Sequence, residues 1–185
     1  MPTRDEALAL LKEWVENENL RKHMLAVEAA VRWYARRSGE DEERWALAGL
    51  LHDLDWEKHP AEHPLRAVDA LREKGYPEDV LHAILAHRSD FTGVAPETPL
   101  DRHLVACDEL TGMITAASLV RPNGIDDLAP RSVKKKLKDP TFAAGVDRDS
   151  VHQGAALIGL DLDQHIANVI EAMRGIGAEL GLTKG

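Results

Sequence analysis

The 185-residue sequence predicts an all-α fold, and three observations support this prediction. Apolar residues recur at steps of three and four along most of the chain, as one face of a helix requires. Capping residues, glycines and prolines separate these segments. No stretch alternates apolar and polar side chains with β-branched residues, so no strand is predicted. Only 4% of the residues are aromatic, so the core must consist mainly of Leu, Ala, Val and Ile.

Capping signals predict the first three helices. Thr3 and Glu6 have the spacing of a capping box, which predicts a helix over residues 3–16. A second helix is expected over residues 19–39, where a glycine occupies the usual C-terminal position. A third helix is expected over residues 41–52, because an aspartate precedes an almost entirely apolar run.

The middle of the chain alternates between loops and helices. Residues 54–64 form a loop rich in His, Asp and Pro, and helices are expected over 65–74 and 77–87. The second of these helices opens on a proline, which the first helical turn tolerates. Residues 88–97 are expected to form a loop, and a long helix is expected over 98–120.

Three more helices complete the predicted chain. They are expected over residues 133–138, 149–158 and 161–180, after a turn at 121–124 that ends the long helix. The total is about eight or nine helices, and a chain of this length is suited to a single domain with a buried core.

Composition and charge narrow the possible functions. The formal net charge is -9, which disfavours nucleic-acid binding because phosphate backbones are bound by clustered Lys and Arg. A small phosphorylated substrate remains compatible, since a bound divalent cation can dominate the local field. The chain has no apolar signal segment, no run of roughly 18 apolar residues that would span a membrane, and one cysteine, Cys107. We therefore expect a cytoplasmic protein without a disulfide bond or a membrane partner.

Two polar residues stand on apolar helix faces. Asp108 shares its face with Leu104 and Thr111, where an unpaired carboxylate is costly. No cation in its own helix lies on that face, which leaves a bound metal or a cation from another element as the neutralising partner. His23 also lies on an apolar face, although a hydrogen-bonded core histidine is the commoner explanation for such a residue.

His52 and Asp53 end the apolar third helix and lead into the polar loop. Adjacent helical residues point about 100° apart, so both side chains can reach one ion only where the backbone opens at a helix end. The alternative is a capping pair on a solvated helix terminus.

In this order, His23, His52-Asp53 and Asp108 resemble the signature of the HD superfamily of metal-dependent phosphohydrolases. The flanking segments strengthen the resemblance, which runs through residues 20–115. It implies an all-helical bundle in which two His and two Asp bind a divalent cation, and an activity that hydrolyses phosphate esters.

The resemblance also implies a domain layout. The HD core is expected over residues 18–120 and a C-terminal helical extension over 121–185, both within a single domain over 1–185.

Two further histidines resemble the additional ligands of dinuclear members of this superfamily. They are His63, in the loop after the His-Asp pair, and His87, at the end of the fifth helix. Arg88 stands where many dinuclear members have another histidine. Mixed imidazole and carboxylate ligands suit Mn, Fe, Co, Ni, Zn or Mg, and one or two ions per chain are expected. Such an ion lowers the pKa of the water that it binds and polarises a phosphoryl oxygen.

Asp53 and Asp55 are the candidate catalytic residues. Asp53 is expected to bridge two ions or to orient the water, and Asp55 to act as a general acid or base. Glu57 is a second candidate for the acid or base, although a solvated loop residue is the commoner explanation for it.

The candidate substrate contacts are basic or aromatic. The expected phosphate-binding cations are Lys58, Arg88, Arg121 and Lys135. Lys135 belongs to the basic segment at 131–138, for which a solvated helix face is the alternative explanation. Trp56 lies beside the proposed metal ligands and could stack on a base or sugar, although packing is the commoner role of a tryptophan.

Three functions remain open from the sequence. A metal-dependent hydrolase of phosphomonoesters or phosphodiesters is favoured, because the ligand pattern and the resemblance agree. A di-iron oxygenase, a minority activity on the same ligand framework, is the second possibility. A non-catalytic metal-binding or nucleotide-binding module is the third. The substrate is left open among nucleoside monophosphates, dinucleotides and phosphoesters that are not nucleotides.

Overall fold

The computed structural model describes residues 1–184 and is all-helical, with eleven helices and no strand among these residues. The helices are α1 (Arg4–Trp14), α2 (Glu18–Ser38), α3 (Glu42–Leu51), α4 (Leu65–Glu73), α5 (Glu78–Ala86), α6 (Ser89–Thr92), α7 (Pro99–Leu119), α8 (Pro130–Leu137), α9 (Arg148–Leu157), α10 (Leu162–Arg174) and α11 (Gly177–Leu180). The all-α prediction is confirmed. Two of the helices, α6 and α11, are single turns of four residues, which accounts for the excess over the eight or nine expected.

Local capping fixes where the first helices begin and end. Thr3 and Glu6 form a reciprocal capping box at the start of α1. Asn17 and Asp41 each accept hydrogen bonds from two backbone N–H groups in the first turns of α2 and α3. Gly39 ends α2 in the left-handed conformation, with φ 75°, that favours glycine. These bounds agree with the sequence prediction to within a few residues.

Two predicted elements differ from the structure. Residues 88–97, expected to be a loop, contain the short helix α6. The final helix, expected over 161–180, is divided into α10 and α11 around Ile176, which has a non-helical backbone with φ -123° and ψ 20°. Gly175 and Gly177 flank this break, and glycine disfavours a helix interior by about 1 kcal/mol relative to alanine. A Cβ atom on Gly177 would lie 2.9 Å from the Thr183 side chain, so close packing also favours glycine at this position.

The chain divides into two compact units, the first over Met1–Val105 and the second from Ala106 onward. The boundary between these units falls inside α7, and the expected division into a core over residues 18–120 and an extension over 121–185 stays a prediction. The single domain expected over residues 1–185 stays a prediction.

Helix α3 is the buried centre of the first unit. Its residues from Trp45 to Leu51 are all buried, and α3 packs on α1, α2 and α5. A Cβ atom on Gly49 would lie 2.8 Å from the backbone Cα of Glu28, so α2 and α3 approach closely at this point. This close approach brings the C-terminal end of α3, at His52, beside α2.

The second unit is built around α10, on which α8 and α9 pack. Helix α9 lies close to the second-unit part of α7, because a Cβ atom on Gly154 would be 2.8 Å from the Ala106 Cα. The buried His165 ring places its Nε2 2.9 Å from the Ala106 carbonyl oxygen. Cys107 is fully buried, and burial raises the pKa of its thiol far above the ordinary range.

Among residues 1–184, no helix has both the length and the apolar character needed to cross a membrane.

Candidate metal centre

His52 is held in one orientation at the C-terminal end of α3. Its side chain is fully buried, and its Nδ1 lies 2.8 Å from the carbonyl oxygen of Gly49. A carbonyl oxygen only accepts hydrogen bonds, so Nδ1 must carry the proton. In the neutral ring Nε2 then keeps its lone pair, and this atom lies 3.4 Å from Oδ2 of Asp53.

Asp53 lies at the centre of four imidazole rings. Its Oδ2 is 3.7 Å from Nε2 of His23 and 3.4 Å from Nε2 of His52. Its Oδ1 is 3.3 Å from Nε2 of His63 and 3.6 Å from Nε2 of His87. The two oxygens of one carboxylate therefore face two different histidine pairs.

His63 and His87 are oriented in the same way as His52. Nδ1 of His87 donates to the carbonyl oxygen of Ile84 at 2.5 Å, and Nδ1 of His63 donates to Oδ1 of Asp55 at 2.7 Å. In their neutral forms both rings therefore direct an Nε2 lone pair inward, and these two atoms are only 3.1 Å apart. Two facing lone pairs repel each other, and a cation or a proton near both atoms removes that repulsion.

The donor set fits a divalent metal ion. Asp53, His63 and His87 each offer one atom, and these atoms all lie within 4.8 Å of one another. Neutral imidazole and carboxylate groups are ligands of Mn, Fe, Co, Ni and Zn. The rings of His23 and His52 lie 5.2 Å apart on the other side of the same carboxylate.

The surrounding imidazoles keep Asp53 ionised. Burial alone would raise the pKa of this carboxyl, but burial is outweighed by the charge and hydrogen bonding that His52 supplies in its protonated form, then by the hydrogen bond of His87 and the charge of protonated His23. Together they hold the pKa of Asp53 well below its usual range. Asp53 is therefore a carboxylate, the protonation state that binds a cation.

Asp55 is fully buried and uses both oxygens within the protein. Its Oδ1 accepts from Nδ1 of His63 at 2.7 Å, and its Oδ2 accepts from the backbone N–H of Ala67 at 2.8 Å, in the first turn of α4. The acid–base role expected from the sequence requires a carboxyl that reaches the substrate. The buried position of Asp55 instead favours a structural role, in which its carboxylate orients His63 and caps the start of α4.

Glu57 and Lys58 contact a different part of the first unit. The Glu57 carboxylate accepts from the backbone N–H groups of Glu16 and Asn17 at 2.8 and 3.1 Å. The Lys58 ammonium donates to the carbonyl oxygen of Glu13 at 3.0 Å. Both residues therefore fasten the loop to the end of α1 and the turn before α2, and the substrate contact expected of Lys58 stays a prediction.

Arg88 and Trp56 lie beside the histidines. Arg88 directly follows His87, and its guanidinium group lies 6.0 Å from the centre of the Trp56 ring. The same group donates to Asp90 at 3.1 and 3.3 Å. The Trp56 ring is in turn 5.1 Å from the His63 ring, in a perpendicular arrangement. The first unit contains two of the predicted substrate cations, Lys58 and Arg88. Of these two, Arg88 is the one that lies beside the histidines.

The remaining predicted site residues belong to the second unit. Asp108 lies half-buried on α7, and Lys135 lies exposed on the basic helix α8. Arg121 donates to the Asp127 carboxylate at 2.9 Å, just after the end of α7. The assignments of Asp108 to the metal, and of Arg121 and Lys135 to the substrate, stay predictions.

The carbonyl groups that orient two of the histidines were missed by the sequence analysis. Gly49 and Ile84 each precede their histidine, His52 or His87, by three residues at the end of a helix. The last carbonyl groups of a helix have no partner within the helix, so they are available to a ring N–H. A histidine just beyond a helix end is the signal that could have identified them.

Comparison with known proteins places this arrangement in context. The HD domain family matches residues 20–113, which is 94 of the 185 residues. The chain is 31% identical over 122 residues to ribonuclease Y of Oleidesulfovibrio alaskensis, covering 64% of this chain and 22% of that protein. It is 31% identical over 134 residues to ribonuclease Y of two strains of Nitratidesulfovibrio vulgaris, covering 71% of this chain and 24% of those proteins. The chain thus spans less than a quarter of the length of these relatives.

Proposed function

The chain belongs to the HD domain family of metal-dependent phosphohydrolases, and we propose that it hydrolyses the phosphate ester of a small substrate with metal-activated water. The observation that carries this proposal is the position of Asp53, whose two carboxylate oxygens face two separate pairs of imidazole Nε2 atoms. This is the ligand arrangement that two neighbouring cations sharing one carboxylate require.

The residues divide into two ligand groups. His23 and His52, with Oδ2 of Asp53, would hold one divalent ion, and His63 and His87, with Oδ1, would hold a second. A bound ion would lower the pKa of water to supply the nucleophile and would polarise the phosphoryl oxygen.

The protein prepares these ligands before any ion binds. The carbonyl oxygens of Gly49 and Ile84 fix the protons of His52 and His87 on Nδ1, which leaves Nε2 directed inward. The Asp55 carboxylate does the same for His63 and is itself held by the start of α4. Buried partners of this kind keep the ligands oriented and raise their basicity.

Arg88 supplies a positive charge at the edge of the site. It is paired with Asp90, whose side chain is 71% exposed, and exposed ion pairs contribute little to stability. The guanidinium group can therefore exchange this partner for a substrate phosphate with little loss, and its planar donors match phosphate oxygens.

A small substrate fits this chain better than a long nucleic acid. The relatives are named as ribonucleases, so an RNA phosphodiester belongs among the substrates to be tested. The formal net charge of -9, however, opposes the extended phosphate contacts by which proteins bind polynucleotides.

The test combines metal analysis with an activity screen. We expect the purified protein to hydrolyse phosphomonoesters or phosphodiesters when supplied with Mn, Co, Ni or Mg, and to lose this activity in a chelator. Asp53→Asn should abolish it, whereas Asp69→Asn, at a carboxylate that is 73% exposed on α4, should not.

Other outcomes would identify the alternatives. Metal binding without turnover of any phosphoester would favour a non-catalytic binding module. An iron pair with a mixed-valent electron paramagnetic resonance signal, together with consumption of oxygen, would favour the di-iron oxygenase.

A further inference from the structure

We propose that Trp56 and Arg88 form a subsite for a nucleobase and its phosphate, and that the substrate is accordingly a mononucleotide. This inference rests on the proposed hydrolysis of a phosphate ester and names the class of molecule that carries the ester. It is drawn from the exposure of Trp56 and from its position next to the histidine cluster.

Trp56 is exposed where a tryptophan is ordinarily covered. Its accessible fraction is 44%, which makes it the most exposed of the four tryptophans, all of which the structure describes. Its ring meets that of His63 at 5.1 Å with an angle of 82° between the planes. Because the rings are perpendicular, His63 can cover at most one face of Trp56, and much of the indole remains open to a flat ligand.

A single imidazole ring, that of His63, lies between Trp56 and the Asp53 carboxylate. His63 contacts Trp56 on one side, and on the other its Nε2 lies 3.3 Å from Oδ1 of Asp53. A base stacked on Trp56 would therefore place the sugar and phosphate of the same molecule beside the metal ligands. A phosphoester without an aromatic ring would make no stacking contact with the exposed indole.

Arg88 adds the charge that this ligand requires. Its guanidinium group is 6.0 Å from the Trp56 ring centre, and its side chain is 31% exposed. From this position it can bind a phosphate oxygen or lie against the edge of the stacked base. The aromatic surface and the cation together match the two parts of a nucleotide.

The charges around the subsite favour one nucleotide over a polynucleotide. Asp90, an exposed carboxylate, pairs with the Arg88 guanidinium group at 3.1 Å. The Glu62 carboxylate, which is 50% exposed and lies in the same loop as Trp56, pairs with Arg66 at 2.8 Å. Because these cations are already paired with carboxylates, they do not form the groove of positive charge through which an extended strand is bound.

Kinetics with paired substrates test the subsite. Metal-loaded protein would be assayed with the 5′-monophosphates of adenosine, guanosine, cytidine and uridine, and with ribose 5-phosphate, which lacks a base. We expect Trp56→Ala to raise KM by about 5- to 150-fold for at least one nucleotide, the range that base stacking supports. The KM for ribose 5-phosphate should not change, and Trp56→Phe should retain most of the nucleotide affinity.

A second tryptophan provides the matched control. Trp33 is partly exposed on α2 and also has an arginine over its ring, with the Arg37 guanidinium group 4.2 Å from the ring centre. Trp33→Ala should leave both the nucleotide KM and the ribose 5-phosphate KM unchanged. An equal increase in KM in the Trp33 and Trp56 variants, or an equal effect of Trp56→Ala on both substrates, would overturn the proposal.

Binding without turnover separates this inference from the proposed function. Calorimetry would use methylenephosphonate analogues of the four nucleotides, in which a CH₂ group replaces the ester oxygen and prevents hydrolysis. Binding that depends on Trp56 would support the subsite even if no phosphoester were hydrolysed, in which case only the proposed function would fail. Binding that is equal in wild type and Trp56→Ala, or that depends on Trp56 only for a ten-nucleotide RNA, would overturn it.

Discussion

Replacing Asp55 by asparagine changes one buried hydrogen bond and leaves the shape of the side chain intact. In the native chain both carboxylate oxygens accept, one from Nδ1 of His63 at 2.7 Å and one from the backbone N–H of Ala67 at 2.8 Å. An asparagine has one accepting oxygen and one donating NH₂ group. If its oxygen keeps the Ala67 contact, its NH₂ group faces His63. The histidine must then accept on Nδ1 and carry its proton on Nε2, where it can no longer bind a metal.

The magnitudes distinguish this effect from simple unfolding. Changing a residue that orients a metal ligand lowers metal affinity by about 10- to 100-fold. Exchanging one charge-assisted hydrogen bond for a neutral one should lower the free energy of unfolding by only about 1–2 kcal/mol. Asp55→Ala leaves two buried N–H donors without an acceptor and should cost about 2–6 kcal/mol, so asparagine is the more informative change.

Three measurements on Asp55→Asn test the reasoning. Metal titration against a chromophoric chelator should show the weakened site, and thermal unfolding should show a largely retained fold. Long-range ¹⁵N NMR spectra of the metal-free protein should show the His63 proton on Nε2, in contrast to wild type. Asp69→Asn, at an exposed carboxylate, should change none of the three. Unchanged metal affinity with the proton still on Nδ1 would refute the assignment of Asp55 as the residue that orients His63.

Three further predictions concern the cluster and the helix that supports it. Asp53→Asn should lower metal affinity by well over tenfold, because it removes the carboxylate between the two histidine pairs; full metal occupancy by elemental analysis would contradict this role. The double substitution His63→Ala with His87→Ala should reduce the stoichiometry from two ions to one, and unchanged stoichiometry with a raised KM would instead assign these histidines to substrate. Gly49→Ala should lower the free energy of unfolding by about 1–3 kcal/mol in chemical denaturation, because its Cβ would lie 2.8 Å from two backbone atoms of α2. Gly145→Ala, with no atom within 4 Å of the added Cβ, is the matched control, and equal midpoints for the two variants would show that α2 and α3 are not closely packed there.

The helices were predictable because their ends are determined within a few residues of sequence. The Thr3–Glu6 capping box, the Asn17 and Asp41 caps and the glycine at 39 all act on atoms of the same or the next turn. The division of the last helix into α10 and α11 was not predicted, because a glycine inside an apolar repeat is only a weak signal against a helix.

The candidate site was only partly predictable. The order of His23, His52 and Asp53 along apolar helices indicated which residue types could meet, and the structure brings their side chains together around one carboxylate. The sequence also suggested His63 and His87 through a resemblance, but it contained no sign that these two rings would lie on the opposite oxygen of Asp53.

Tertiary structure decided what the loop residues after Asp53 do. Asp55, Glu57 and Lys58 have similar polar surroundings in the sequence, and all three were candidates for catalysis or substrate binding. Their partners lie far along the chain: Asp55 accepts from the N–H group twelve residues later, and Lys58 donates to a carbonyl forty-five residues earlier. Hydrogen bonds of this separation form only once α1, α3 and α4 have packed, so no local pattern encodes them. The sequence determined the helices and the residue types of the cluster, whereas the packing of those helices determined which carboxylate faces four imidazole rings and which one holds a histidine in place.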